Sequence, residues 1–276
     1  MNYNISVNQL IKNYCQHINL DFNFINRIYI ITSNTCNNWL GTVEPIKINN
    51  NLYLDLKLHQ CVIDDLNSEN NIKFQIAHSI IMHELYHCKE MTITSSYLEW
   101  QKLYFHESIR TTKLLFLDTA FHQWSEYYAY YNSSKINKRK IKLSEKLSSA
   151  NASLKVSYNH IKETKCENMQ LLKTFIDSLI DFISVIIMFS AHYNSTHDKK
   201  YIRELRYIQR SSLYSEYYPY IVDIISYMDV LYNTYPKWIT MDNFIELGHK
   251  LFSFMKINHI YFATNDISDN FEIKIV

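Results

Sequence analysis

The chain is 276 residues long, 47% hydrophobic and 20% charged, with a formal net charge of +1. That length supports one large domain or two small ones with a sizeable core, and the composition excludes a disordered chain. The near-neutral charge offers no ground for a nucleic-acid or lipid-surface partner, and two glycines, Gly41 and Gly248, cannot build a phosphate-binding loop or a dinucleotide fingerprint.

Residues 6 to 18 read as a short helix, and Ile25 to Ile31 (INRIYII) is an apolar, partly β-branched run of strand length. Trp39 to Ile48 contains Gly41 and Pro45 and reads as a second, irregular strand. Leu52, Leu54, Leu56 and Leu58 alternate with Tyr53, Asp55 and Lys57, the period-two pattern of a strand with one buried face. From Asn70 the period changes: Ile72, Ile76, Ile80, His83 and His87 recur at steps of three or four, as do Phe74, Ala77, Ile81 and Leu85. This predicts a helix with little exposed surface. Further helical patterns cover about 97 to 109, 113 to 132, 141 to 164, 168 to 193, 199 to 211, 217 to 233 and 240 to 256.

The elements predict an α+β protein, in which a small N-terminal mixed sheet packs on the helix of residues 83–87 and a mainly helical C-terminal region follows. The polar stretch Asn132 to Lys146 is the best boundary, giving units of 1–134 and 135–276. Lys138, Arg139, Lys140 and Lys142 within it read as a solvated linker. The strongest membrane candidate, Leu171 to Ala191, is interrupted by Lys173, Asp177 and Asp181. Its uncharged remainder is far short of the roughly 20 residues a span needs, so it reads as a buried helix and no membrane partner is expected.

Cys15, Cys36, Cys61, Cys88 and Cys166 are odd in number and form no CxxC pair, which suggests neither a disulfide framework nor a thiolate zinc knuckle. The opening MNYNISVNQLIKNYCQH lacks the basic start and apolar run of a secretory signal, so a cytoplasmic location is expected.

Ile80 to Cys88 (IIMHELYHC) contains HExxH as His83, Glu84, Leu85, Tyr86 and His87. Residues four apart on a helix lie about 40° from each other around its axis, so both imidazoles leave one face, one turn apart. That spacing lets two neutral ring nitrogens reach one ion, with Glu84 flanking the seam as a proton acceptor. Burying two imidazoles and a carboxylate in an apolar helix is costly unless something such as a metal compensates them. A catalytic zinc (Zn2+) needs a third protein ligand and one open position. Glu126, in Phe121 to Tyr131 (FHQWSEYYAYY), is the favoured candidate, because Ala129 three residues on lets that helix approach closely. Glu107, in Tyr104 to Ile109 (YFHESI), is the competitor, and His122 is a third option. Cys88 points about 100° away from His87 and makes a poor ligand.

HELYH on a helix after a sheet, with Glu126 in a W-S-E-Y-Y-A context on a later helix, resembles the gluzincin branch of zincin metallopeptidases. Within that branch the compact cytosolic bacterial and phage members of the ImmA/IrrE kind are most similar. The resemblance covers residues 25 to 132, so it makes 1–134 a zincin-like metallopeptidase domain. It implies zinc held by His83, His87 and Glu126, with Glu84 as general base in hydrolysis of a protein or peptide substrate. It also implies that Leu52 to Leu58 is an edge strand that aligns an extended substrate. The alternative is a catalytically inactive zincin-fold binding or regulatory protein. One departure stands out: many gluzincins carry an Asp four residues after the glutamate ligand, and Tyr130 occupies that position.

Overall fold

The computed structural model describes residues 6–32, 40–98, 112–136, 142–164, 169–258, 260–262 and 273–275. Its contacts sort into two units, one of residues 1–104 with 128–139 and one of 105–127 with 140–276. The chain is α+β, with a small sheet near the N-terminus and helices through most of the remainder.

In the first unit, α1 (Val7–His17) begins where the Ser6 side chain accepts a hydrogen bond from the Gln9 amide, and it buries Ile11 and Cys15. Asn19, at φ 55, turns the chain away in the left-handed conformation that asparagine tolerates. Strands β1 (Ile25–Ile31), β2 (Gly41–Ile48) and β3 (Asn51–His59) form a mixed sheet in the order β1-β3-β2. β1 runs parallel to β3 and β2 antiparallel to it. β2 and β3 are joined by Asn49 and Asn50, both at positive φ. A two-residue hairpin loop needs that conformation at both positions to match the strand twist.

The alternating leucines sit where the period predicts. Leu52, Leu54, Leu56 and Leu58 are buried, each contributing roughly 1.5–3 kcal/mol relative to exposure. Their strand is central, however, with β1 on one flank and β2 on the other, so the expected edge role of residues 52–58 is corrected. Alternation reports which face of a strand is buried and carries no information about which flanks are hydrogen-bonded.

After the short α2 (Gln60–Leu66), Asn70 caps α3 (Asn71–Tyr97) by accepting from the amides of Ile72 and Lys73. Ala77, Ile81, Leu85 and Cys88 pack into the same core cluster as the β3 leucines. The expectation of little exposed surface holds only from Ala77 to Ser95, since Ile72 is 69% exposed and Phe74, Ile76 and Tyr97 are also exposed. A 27-residue helix is about 40 Å long, whereas a nine-residue strand spans about 30 Å, so one end of α3 outruns the sheet. The helical pattern expected over 97–109 lies almost entirely outside the described residues.

Helix α4 (Thr112–Ser134) contributes its residues up to Tyr127 to the second unit and those from Tyr128 to the first. The second unit continues with α5 (Leu143–Thr164), α6 (Met169–Thr196), α7 (Lys199–Arg210), α8 (Tyr218–Thr234) and α9 (Met241–Leu251). A two-stranded pair of β4 (Ile260–Phe262) and β5 (Ile273–Ile275) follows. Buried Phe175, Phe182, Ile183, Ile186, Ile187 and Phe189 line α6. Among the described residues, Gln170–Thr196 within α6 is the one helix long and apolar enough to cross a membrane, and 56% of its apolar stretch is buried inside the protein. Asn194 on α6 donates to the Tyr127 hydroxyl at 2.8 Å and to the Ile225 carbonyl at 2.9 Å, tying α6 to α4 and α8.

Candidate metal centre

The sheet sets α3 by burying Ala77, Ile81, Leu85 and Cys88 against β3, which turns the adjoining stripe of His83 and His87 outward from that core. His83 and His87 aim at a common point. Their Nε2 atoms are 3.0 Å apart and the ring planes are nearly perpendicular, at 87°. Across that distance one neutral imidazole can donate to the other.

The C-terminal part of α4 packs along the same stretch of α3. Tyr128 meets Tyr86 edge-on with ring centroids 6.3 Å apart, and Tyr130 lies against His83 at 4.4 Å. Glu126 precedes Tyr128 by less than one turn on this continuous helix. One ligand atom each from His83, His87 and Glu126 lies within 4.8 Å of the other two. Zinc ligands at about 2.0–2.1 Å in a tetrahedral site lie roughly 3.3 Å from one another, so the two imidazoles already stand near that separation. The donor set of two imidazoles and one carboxylate suits a divalent cation such as zinc. Among the described residues the group has three members.

Glu84 is outside that group. It is 7% exposed, and its side chain is set against the start of β2. A methyl group on Gly41 would stand 2.6 Å from Glu84 Cγ and 2.9 Å from Cδ. Any larger residue at position 41 therefore forces the carboxylate or the strand to move. This contact was not legible in the sequence, although the presence of glycine at only two positions in 276 residues was a signal worth following.

The other candidates fall elsewhere. His122 is exposed and stands 3.6 Å from Asp118, and Glu107 lies outside the described residues. Cys88 is fully buried in the core cluster. Burial first, with Cys15 and Glu84 adding, pushes its thiol well above the ordinary range, so it is no thiolate ligand at neutral pH. Comparison with protein families, curated proteins and solved structures finds no match to this chain.

Proposed function

We propose that this chain is a zinc-dependent metallopeptidase, with His83, His87 and Glu126 as the metal ligands and Glu84 as the general base. The observation that carries the reading is the convergence of two α3 imidazoles and an α4 carboxylate within 4.8 Å, next to a buried carboxylate that is not one of the ligands. A metal ion bound there supplies Lewis acidity, to a water molecule and to a carbonyl oxygen. Glu84 then accepts the water proton on its carboxylate and returns it to the leaving amine. Its restricted exposure keeps bulk solvent from competing for that proton, and Gly41 sets where the carboxylate rests.

The substrate we propose is a protein or peptide in extended form. Its docking edge is β2 rather than β3, since among the described residues no strand pairs with the outer flank of β2. His59 donates its amide to the Leu40 carbonyl. Hydrogen bonding in an antiparallel ladder alternates, so Gly41, Val43, Pro45 and Lys47 present their backbone groups outward. Pro45 has no N–H, which suits an outward-facing position and interrupts pairing there. Main-chain pairing by added strand would therefore concentrate at Gly41 and Val43, beginning beside Glu84.

The test is cleavage of an unstructured protein such as casein, blocked by a chelator and restored by zinc. Glu84→Gln is expected to retain metal and lose hydrolysis, and an unchanged rate in that variant removes Glu84 from the mechanism.

A further inference from the structure

The face of α4 that carries Glu126 also carries Tyr130, one helical turn further on. The Tyr130 ring lies on the His83 imidazole, with centroids 4.4 Å apart and planes tilted by 50°. On another side His83 meets the edge of His87, with centroids 4.6 Å apart. His83 is the less buried of the two histidines, and its Nδ1 is shielded from solvent while its Nε2 faces His87. The outer torsion of a histidine side chain has a broad energy profile. A ring that must present one nitrogen to a shared point therefore needs neighbours to fix its angle. His87 alone cannot do this, because it carries the same soft torsion.

We propose that Tyr130 is the positioning residue for His83: its ring, packed on the imidazole, holds Nε2 in the orientation that meets His87 and Glu126. This rests on reading His83 as a metal ligand. One rigid helix would then deliver both a ligand, Glu126, and the brace for a ligand from another helix. The contact is between the two rings, so the proposed effect belongs to the aromatic ring rather than to the hydroxyl.

The experiment uses the full chain stripped of metal and titrated with Co2+, reading affinity and the visible d–d absorption of the bound ion. Loss of an outer partner typically weakens metal binding 10- to 100-fold, so Tyr130→Ala is expected to bind Co2+ about 10-fold or more weakly with an altered spectrum, and Tyr130→Phe to stay within about twofold of wild type. Tyr130→Leu, which keeps apolar bulk without a plane, is expected to resemble Tyr130→Ala, and it decides the matter if the alanine variant loses its far-UV circular dichroism. In a His83→Ala background Tyr130→Ala should weaken binding no further. Wild-type affinity and spectrum in the alanine and leucine variants would overturn the proposal, as would equal weakening in Tyr130→Phe. A wild-type chain that binds no Co2+ sinks both this proposal and the metallopeptidase reading. One that binds Co2+ but cleaves no peptide sinks the peptidase reading alone, and the Tyr130 variants still decide whether the ring braces His83.

Discussion

Gly41 and Gly248 each sit where a side chain would collide with a neighbour: the first against Glu84, the second against the Phe116 backbone at 2.4 Å. Overpacking of this kind costs typically about 1–3 kcal/mol. Gly41→Ala is therefore expected to lower the melting temperature, and to do so much less in a Glu84→Ala background, where the clashing atoms are gone. In the metal-loaded protein the same substitution should reduce hydrolysis while leaving metal stoichiometry unchanged. The local part of the site was legible in the sequence because ligand spacing on one helix follows from 3.6 residues per turn. The contacts of Gly41 with Glu84 and of Tyr130 with His83 join residues more than forty positions apart, and no periodicity encodes them. Cys15 offers a further residue-scale test. Burial pushes its thiol from an ordinary 9.0 up to about 12. A group whose folded pKa is raised stabilises the fold fully below its unfolded pKa, and that contribution is lost as pH rises towards the folded value. Cys15→Ala should thus flatten the fall in stability between pH 9.0 and about 12, as read by denaturant melts.

Helices and strands were readable where one face is buried and the pattern is long. The run Ile25 to Ile31 forms β1 over the residues expected, and the leucine alternation forms β3. α2, the hairpin turn and the late strands β4 and β5 escaped. α2 follows β3 without a break, and its seven residues are too few to display a helical period. The hairpin turn at Asn49 and Asn50 was hidden because the sequence there is a run of three asparagines with no glycine. Since both residues adopt positive φ, Asn50→Gly should stabilise the hairpin and Asn50→Val should destabilise it, which thermal denaturation of the two variants checks. In the second unit the matching element-scale device is Asn194. Removing it leaves the Ile225 carbonyl without that buried donor, at a cost of about 1–3 kcal/mol. Asn194→Ala should lower the melting temperature more than Tyr127→Phe, which removes one of the two bonds.

On the scale of the whole molecule, the contacts divide between residues 139 and 140, within the polar stretch after Asn132, and also inside α4, between Tyr127 and Tyr128. Sequence composition marks solvated connections, whereas a single helix shared by two packing groups leaves no compositional trace. Glu126 lies next to that change of partners, on a helix whose following residues Tyr128 and Tyr130 pack against α3. A ligand that binds only the folded chain stabilises it by mass action, by about 2.7 kcal/mol when free ligand reaches about 100 times its dissociation constant. Zinc should accordingly raise the melting temperature of the wild type and leave His87→Ala unchanged. The most direct measurement is the zinc content of protein loaded with excess metal and freed of unbound ion, wild type beside His83→Ala and Glu126→Ala. One equivalent in the wild type and clear loss in both variants is the predicted result; a wild type without zinc, or variants that retain it in full, would contradict a shared centre built from α3 and α4.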